Sequence, residues 1–265
     1  MIAGLQKAFE DAKAHARAEF PKESCGLVVK GAYIACENIR TAPDTHEPDN
    51  KECGCQLCAF EIAPAVIAHY GDDIEMIIHS HPNGPYFPSQ VDMERQVATD
   101  VPWAIITLDS ERISDEPVMW GDGLPIAPMI GRTFMHGVHD CFSLIRDAFR
   151  LGKEGLEAQG IVGWPHPPVT FPIAPRQDGW WEGSDDLYDD NWAKHGFVEI
   201  DSSEALPGDV FLMKIKSHKN NHGGVLVGES TIMHHLPLRL SRREPAGLWG
   251  RQATRWLRYQ GPFDA

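Results

Sequence analysis

The sequence predicts two consecutive domains, an α/β domain followed by an α+β domain. Its 265 residues exceed the usual size of one small domain. Strand-like and helical segments alternate in the first half, whereas the second half has one strong helix followed by short strand-like segments. Proline and glycine cluster between the two patterns, over residues 117–131. We therefore predict a first domain at 1–118, a linker at 119–130 and a second domain at 131–265.

The first half opens with an amphipathic helix. Apolar residues recur at helical spacing from Leu5 to Phe20, and Pro21 ends the segment. The elements predicted after it are strands at 27–29, 74–78 and 103–108, with a polar, proline-free helix at 89–99.

The second half combines one helix with a small sheet. The pattern from Asp140 to Arg150 is helical, and the stretch from Trp164 to Trp192 is rich in Pro, Trp and Asp with little periodicity. Short strands joined by turns are predicted at 210–215, 224–227 and 232–235.

Composition and charge exclude several classes of protein. The formal net charge of -14 argues against nucleic acid as a partner, because phosphate binding depends on clustered Lys and Arg. No apolar run approaches the length of a membrane span, and the amino terminus lacks the pattern of a secretory signal. We expect synthesis in a cytoplasm, where six cysteines are thiols or metal ligands rather than a disulfide framework.

Two histidines and an aspartate form the first candidate site. His79 and His81 lie two residues apart at the end of a predicted strand, so their side chains project from the same face. Ser89 is placed to cap the next helix, with Asp92 in its first turn. Two His and one carboxylate leave the fourth position of a tetrahedral Zn²⁺ open, as in catalytic zinc sites. The alternative is a strand end held by core hydrogen bonds, followed by an ordinary helix cap.

The same residues resemble a known peptidase motif. Glu23 is followed by His79-Ser80-His81, then by seven residues and Ser89, and then by two residues and Asp92. This pattern is similar to the JAMM/MPN metallopeptidase motif, over roughly the first 115 residues. The resemblance implies a cytidine-deaminase-like fold with zinc held by the two histidines and Asp92. It also implies that Glu23 is the general acid/base and that Ser89 helps to hold the tetrahedral oxyanion.

A cysteine and two histidines form the second candidate site. Cys141 falls in the first turn of a predicted helix capped by Asp140, where the helix dipole lowers the pKa of a thiol. His222 and His234 lie in consecutive strand-like segments, and a hairpin would bring both near Cys141. Nucleophile, base and orienting group would then be complete. The alternative is a small buried cysteine with surface histidines.

This second set resembles the NlpC/P60 cysteine peptidases. The resemblance covers roughly 131–259 and depends on Asp140-Cys141, on the segment 206–210 and on His222 before the strand 225–228. It implies a papain-like α+β domain in which Cys141 is the nucleophile, His222 the base and His234 the orienting member. Phe142 and Leu226 depart from the commoner family pattern and affect the expected shape of the pocket.

The order of the two domains resembles the tail assembly protein K family of lambda-like phages. The resemblance implies a bifunctional hydrolase acting on peptide bonds, with Zn²⁺ as cofactor and with other tail-tip proteins and a peptidoglycan peptide or a protein substrate as partners. It places the protein in the host cytoplasm during synthesis and at the tail tip, acting on the cell wall, afterwards. The alternatives are a non-catalytic assembly or chaperoning factor with vestigial sites, and an isopeptidase acting on a tagged protein.

Three further cysteines suggest a second metal site. Cys53, Cys55 and Cys58 lie within six residues, and His46 or Cys36 would supply a fourth ligand. The alternative is a loop that contains three thiols by chance.

Overall fold

The computed structural model describes residues 4–40 and 55–261 as a mixed α/β protein. The described chain forms two compact units. The first comprises residues up to Pro88 and from Glu94 to Pro125, and the second comprises Ser89–Met93 and the residues from Ile126 onwards. Within the described ranges, no helix is both long and apolar enough to cross a membrane.

The first unit contains a five-stranded sheet with the strand order β2-β1-β3-β4-β5. Only β3 and β4 run parallel, and the other neighbours are antiparallel. In chain order the elements up to residue 120 are α1 (Gln6–Glu19), β1 (Cys25–Val29), β2 (Ala32–Cys36), α2 (Pro64–Tyr70), β3 (Ile74–Pro82), α3 (Gln90–Thr99), β4 (Trp103–Leu108) and β5 (Val118–Trp120).

Helix α1 covers one face of this sheet with its apolar stripe. Its buried residues are spaced three and four apart and pack on apolar side chains of β1, β3 and β4. Ala8, Phe9, Ala12 and Ala16 form this stripe. The structure therefore confirms the predicted opening helix, and it confirms the strands predicted at 74–78 and 103–108.

Two strands of the first sheet were not predicted from the sequence. β2 follows β1 through the two-residue turn Lys30-Gly31, in which both residues have positive φ, as a tight hairpin requires. β5 pairs with β4, so that residues 119 and 120 lie in a strand rather than in the predicted linker. Both strands are short, which explains why their periodicity was weak.

The second unit packs a long helical segment, kinked at Gly152, on a six-stranded antiparallel sheet of order β10-β9-β8-β7-β11-β6. Its elements are α4 (Cys141–Ala158), β6 (Phe197–Ile200), β7 (Val210–Met213), β8 (His222–Val227), β9 (Thr231–His234), β10 (Arg242–Pro245), α5 (Ala246–Trp249) and β11 (Arg255–Tyr259). The helix and the three strands predicted here are present, with shifted ends. Strands β6, β10 and β11 were not predicted.

The aromatic stretch before β6 contributes to the core of the second unit. Trp164, Trp180 and Tyr188 are buried there, and Trp181 and Trp192 pack against the same cluster. This stretch lacks regular periodicity because its residues lie mostly in loops and 3-10 turns.

Candidate active sites

Strand β3 and the first turn of α3 bring three potential metal ligands together. One donor atom from each of His79, His81 and Asp92 lies within 4.8 Å of the others, and all three residues are buried. The Nε2 atoms of the two histidines are 3.0 Å apart. Among the residues that the structure describes, this is the one group of three or more such side chains close enough to hold a metal ion.

The partners of His81 orient its Nε2 atom for metal binding. Its Nδ1 lies 2.8 Å from the backbone oxygen of Pro85. Because a carbonyl only accepts, Nδ1 carries the proton in the neutral ring and Nε2 keeps its lone pair. A backbone carbonyl that fixes the second ring nitrogen is the usual support of a metal-binding histidine.

An aromatic wall encloses His79. The ring of Phe60 stacks on the imidazole with a centroid distance of 4.7 Å, and Trp103 and Trp120 approach it edge-on at 5.6 Å and 6.3 Å. These rings restrict the orientation of His79 and exclude water from one side of the site, which strengthens electrostatic interactions there.

Ser89 and Asp92 form the predicted capping box. The Ser89 backbone N–H donates to Oδ2 of Asp92 at 2.8 Å, and the Asp92 backbone N–H donates to Oγ of Ser89 at 3.1 Å. The Ser89 hydroxyl also donates to the same carboxylate oxygen at 2.7 Å. These bonds hold the Asp92 carboxylate on the side of α3 where the histidine nitrogens lie.

The pairing of β1 with β3 sets the position of Glu23. Cys25 lies opposite His79, and the next pair outwards is joined by hydrogen bonds between Ser24 and Ser80. The register therefore places Glu23 opposite His81, on the same face of the sheet. Glu23 is buried, and it borders a cavity of about 430 Å³ lined mainly by polar side chains.

This donor set fits zinc. Ligands held 2.0–2.1 Å from a tetrahedral Zn²⁺ lie roughly 3.3 Å from one another, close to the observed separation of the two Nε2 atoms. Two imidazoles and one carboxylate are ligands that zinc accepts in catalytic sites. The residues present could therefore hold zinc and leave one position for water.

The second site begins at the amino terminus of α4. Asp140 is the N-cap residue, as predicted, and its Oδ1 accepts from the Ser143 backbone N–H at 2.9 Å. Its Oδ2 accepts from the Gly137 backbone N–H at 2.8 Å and pairs with the buried Arg176 guanidinium. Although burial raises the pKa of Asp140, Arg176 and His136 hold it well below its usual value.

The two predicted histidines are hydrogen-bonded to each other. His222 Nε2 lies 3.0 Å from His234 Nδ1, and both rings are buried. The backbone N–H of Gly223, next to His222, donates towards the sulfur of Cys141. The structure thus brings Cys141 to the strand that carries His222.

The electrostatic environment of Cys141 differs from the expected one. Burial raises the pKa of the Cys141 thiol to about 11, and the charge of Asp140 adds to this rise. Burial also lowers the pKa of His222 to about 3, with contributions from His234 and His235. The prediction of a lowered thiol pKa is therefore wrong for the free protein, in which thiol and imidazole are both neutral near pH 7.

Two residues of the second site were missed by the sequence analysis. Tyr188 donates a hydrogen bond from its hydroxyl to Cys141 Sγ at 3.2 Å. Arg176 pairs with Asp140 and lies over the Phe142 ring, 4.8 Å from its centroid. Both come from the aperiodic stretch before β6, where a single Arg among prolines was the available signal.

The cysteine cluster is only partly described. Cys55 and Cys58 lie on one turn with their sulfurs 3.4 Å apart. Cys53 and His46 lie outside the described residues, so that the predicted second metal site stays a prediction.

Comparisons with known proteins agree with this arrangement. Residues 5–119 match the family of prokaryotic homologs of the JAB domain. The chain is 30% identical to the tail tip assembly protein K of Escherichia phage N15, over 96% of this chain and 95% of that protein. It is 32% identical to the tail tip assembly protein K of Escherichia phage lambda, over 72% of this chain and 89% of that protein.

The first match covers every residue of the His79, His81 and Asp92 cluster together with Glu23. The N15 relative extends the similarity through the second unit, which includes Cys141, His222 and His234. On the strength of the similarity to the N15 protein over almost the whole chain, and of the similarity to the lambda protein, the chain belongs to the tail tip assembly protein K family.

Proposed function

We propose that this protein acts in the assembly of a phage tail tip as a bifunctional peptidase. The tail role is supported by the names of both relatives. The observation that carries the enzymatic part is the buried group formed by His79, His81 and Asp92, with Glu23 across the sheet. Such a group is costly to bury unless the charges are paired or bind a metal.

At the first site, the chain's own residues would hold zinc and transfer protons. His79, His81 and Asp92 would be the ligands, and the Ser89 hydrogen bonds would hold the carboxylate in place. When bound, the ion would polarise a scissile carbonyl and lower the pKa of water. Glu23 would take a proton from the attacking water and deliver it to the leaving amine. The substrate class is a peptide or isopeptide bond.

In the second unit, Cys141 would attack the carbonyl of a cell-wall stem peptide, with His222 as its general base and His234 as the orienting group. The neutral state of both Cys141 and His222 favours proton transfer during attack over a preformed ion pair. We propose a papain-like NlpC/P60 domain as the context for this chemistry, because one helix begins at the nucleophile and packs on an antiparallel sheet that carries the histidines.

The proposal is tested with three forms of the full chain, wild type, Glu23→Gln and Cys141→Ser, on purified cell-wall peptides and candidate tail proteins. Glu23→Gln should abolish the metal-dependent cleavage and leave the thiol-dependent cleavage intact, and Cys141→Ser should do the reverse. General acid/base catalysis contributes about 10²–10⁴-fold, which sets the size of the loss for Glu23→Gln. Identical behaviour of all three forms would contradict both enzymatic roles.

Zinc binding is measured separately by titration calorimetry and elemental analysis. Wild type should bind one Zn²⁺ at the described ligands, and His79→Ala should lose it, because two ligands do not complete the site. His69→Ala, which removes an exposed histidine of α2, is the matched control and should bind normally.

A non-catalytic assembly factor is the second candidate function. The names of both relatives refer to assembly and not to cleavage. Under this reading, Glu23→Gln and Cys141→Ser would both support tail formation in a complementation assay, whereas the enzymatic reading predicts that at least one fails.

A further inference from the structure

A glutamate extends the pair of histidines in the second unit. His234 Nε2 lies 3.2 Å from Oε2 of Glu244, on the side of the ring opposite its contact with His222. The other carboxylate oxygen of Glu244 lies 3.7 Å from the Arg242 guanidinium. His222, His234 and Glu244 therefore form a continuous hydrogen-bonded chain across three strands.

Strand register explains why these three side chains meet. His234 lies opposite Gly224 of β8 on one side and opposite Arg242 of β10 on the other. Because alternate residues of a strand share a face, His222 and Glu244 project to the same face as His234. The Trp249 ring, 4.5 Å from the His234 ring and nearly perpendicular to it, restricts the imidazole further.

Gly224 leaves room for the hydrogen-bonded side chains of His222 and His234. A Cβ atom at this position would lie 2.8 Å from the His234 Cβ and 2.5 Å from the Met233 backbone oxygen. No side chain fits there without moving the backbone. The absence of a Cβ thus allows the His234 ring to reach His222 diagonally.

The chemistry of the groups determines the direction of each hydrogen bond. A carboxylate only accepts, so Nε2 of His234 must donate to Glu244. Burial lowers the pKa of His234, so the ring is neutral near pH 7 and its Nδ1 has no proton. This Nδ1 must accept from Nε2 of His222. Neutral His222 then has its lone pair on Nδ1.

We infer that Glu244 is a positioning residue that fixes the tautomers of His234 and His222 and thereby leaves Nδ1 of His222 as the basic nitrogen. The inference rests on the proposed function for its catalytic meaning, because Nδ1 is the atom that would receive the proton of Cys141. Its structural part, the direction of the two hydrogen bonds, holds without any catalysis. An acidic fourth member in the second site is not part of the pattern from which Cys141, His222 and His234 were predicted.

The direct test is nitrogen NMR of the full chain with labelled histidine, with signals assigned through His222→Gln and His234→Gln. In wild type, both His222 and His234 should carry their proton on Nε2. Glu244→Met keeps the length of the side chain and removes the acceptor, so it should give a mixture of tautomers at both rings. Glu244→Gln retains an oxygen acceptor, so its tautomer populations should lie between those of wild type and Glu244→Met. The matched control is Glu229→Met at an exposed glutamate of the β8–β9 turn, which should match wild type.

A proton on Nδ1 of His222 in wild type, or unchanged tautomers in Glu244→Met, would overturn the inference. A merely structural role of Glu244 would lower stability without moving the proton between ring nitrogens.

A kinetic measurement then separates this inference from the proposed function. On a substrate cleaved in a Cys141-dependent manner, Glu244→Met should lower kcat roughly 10- to 100-fold with little change in KM, and Glu244→Gln should recover part of the loss. If Cys141→Ser cleaves every substrate as well as wild type, the cysteine peptidase function fails while the tautomer result stands. If Cys141→Ser is inactive and Glu244→Met retains full kcat, the positioning role fails while the peptidase function stands.

Discussion

Opposing electrostatic effects act on the pKa of the Cys141 thiol. The amino terminus of α4 and the hydrogen bond from Tyr188 favour a thiolate, whereas burial and the charge of Asp140 favour the protonated thiol. A helix terminus contributes about 0.3–1 kcal/mol, which is less than one pKa unit. Burial is the larger effect here, and it decides the protonation state.

We predict that Cys141 reacts slowly with an alkylating reagent near pH 7 and that its rate rises steeply only above about pH 9, because the pKa of its thiol is raised to about 11. Tyr188→Phe removes a hydrogen bond that lowers this pKa, so it should slow the reaction further at each pH. Peptide mapping by mass spectrometry separates Cys141 from the exposed Cys58, which serves as an internal reference. A Cys141 that is fully alkylated at pH 7 as fast as Cys58 would contradict this prediction.

At the scale of elements, β8 depends on closely spaced glycines. Gly223 and Gly224 face opposite sides of the strand. A Cβ at Gly223 would lie 3.0 Å from Leu212 and from the Phe211 backbone oxygen, so both positions are close to their neighbours. The two glycines allow β7, α4 and β9 to approach β8 as they do.

Gly224→Ala should destabilise the second unit. The added methyl would lie 2.5 Å from the Met233 backbone oxygen, and relief requires a shift of β9 rather than a rotamer change. Overpacking of this kind costs about 1–3 kcal/mol, measured as the change in free energy of unfolding in urea. Gly247→Ala, at an exposed helical glycine with no atom within 4 Å of the added Cβ, should cause no loss. Equal stability of the two variants would contradict this prediction, because β9 would then accommodate the added methyl group without cost.

At the scale of the whole molecule, the second unit contains several buried or half-buried histidines whose pKa values are lowered. Burial is the main cause for each of them: His136, His139, His166, His222, His234 and His235. In the unfolded chain these groups titrate near pH 6.5. Their contribution to stability is present above that pH and is lost as the pH falls, because the unfolded state then binds more protons.

We predict that the second unit loses stability between about pH 6.5 and pH 3. His222 alone, with its pKa lowered to about 3, should contribute a slope of about 1.4 kcal/mol per pH unit over this range. Hydrogen exchange of peptides from α4 and β8, followed as a function of pH, reports this unit directly. His222→Gln should reduce the slope, and His218→Gln, at an exposed histidine, should leave it unchanged. A flat profile in wild type would contradict the buried neutral state of these rings.

Much of the fold was predictable where periodicity was strong. α1, β3, β4 and α4 all carry long apolar patterns, and each was found close to its predicted place. The strands that were missed, among them β2, β5 and β10, are three to five residues long and only partly buried, so local pattern carries little information about them. Their pairing partners supply the stabilisation that their own sequence lacks.

The sequence by itself determined the donor types and spacing at His79, His81, Ser89 and Asp92, because a strand followed closely by a capped helix fixes these groups through local geometry. It also determined the Asp140 cap and the presence of a cysteine at a helix start. Only the tertiary structure decided the protonation of Cys141 and the contacts of Tyr188, Arg176 and Glu244 with the second site. The physical reason is that desolvation and hydrogen-bond direction depend on which distant segments surround a group, and no local pattern encodes those neighbours.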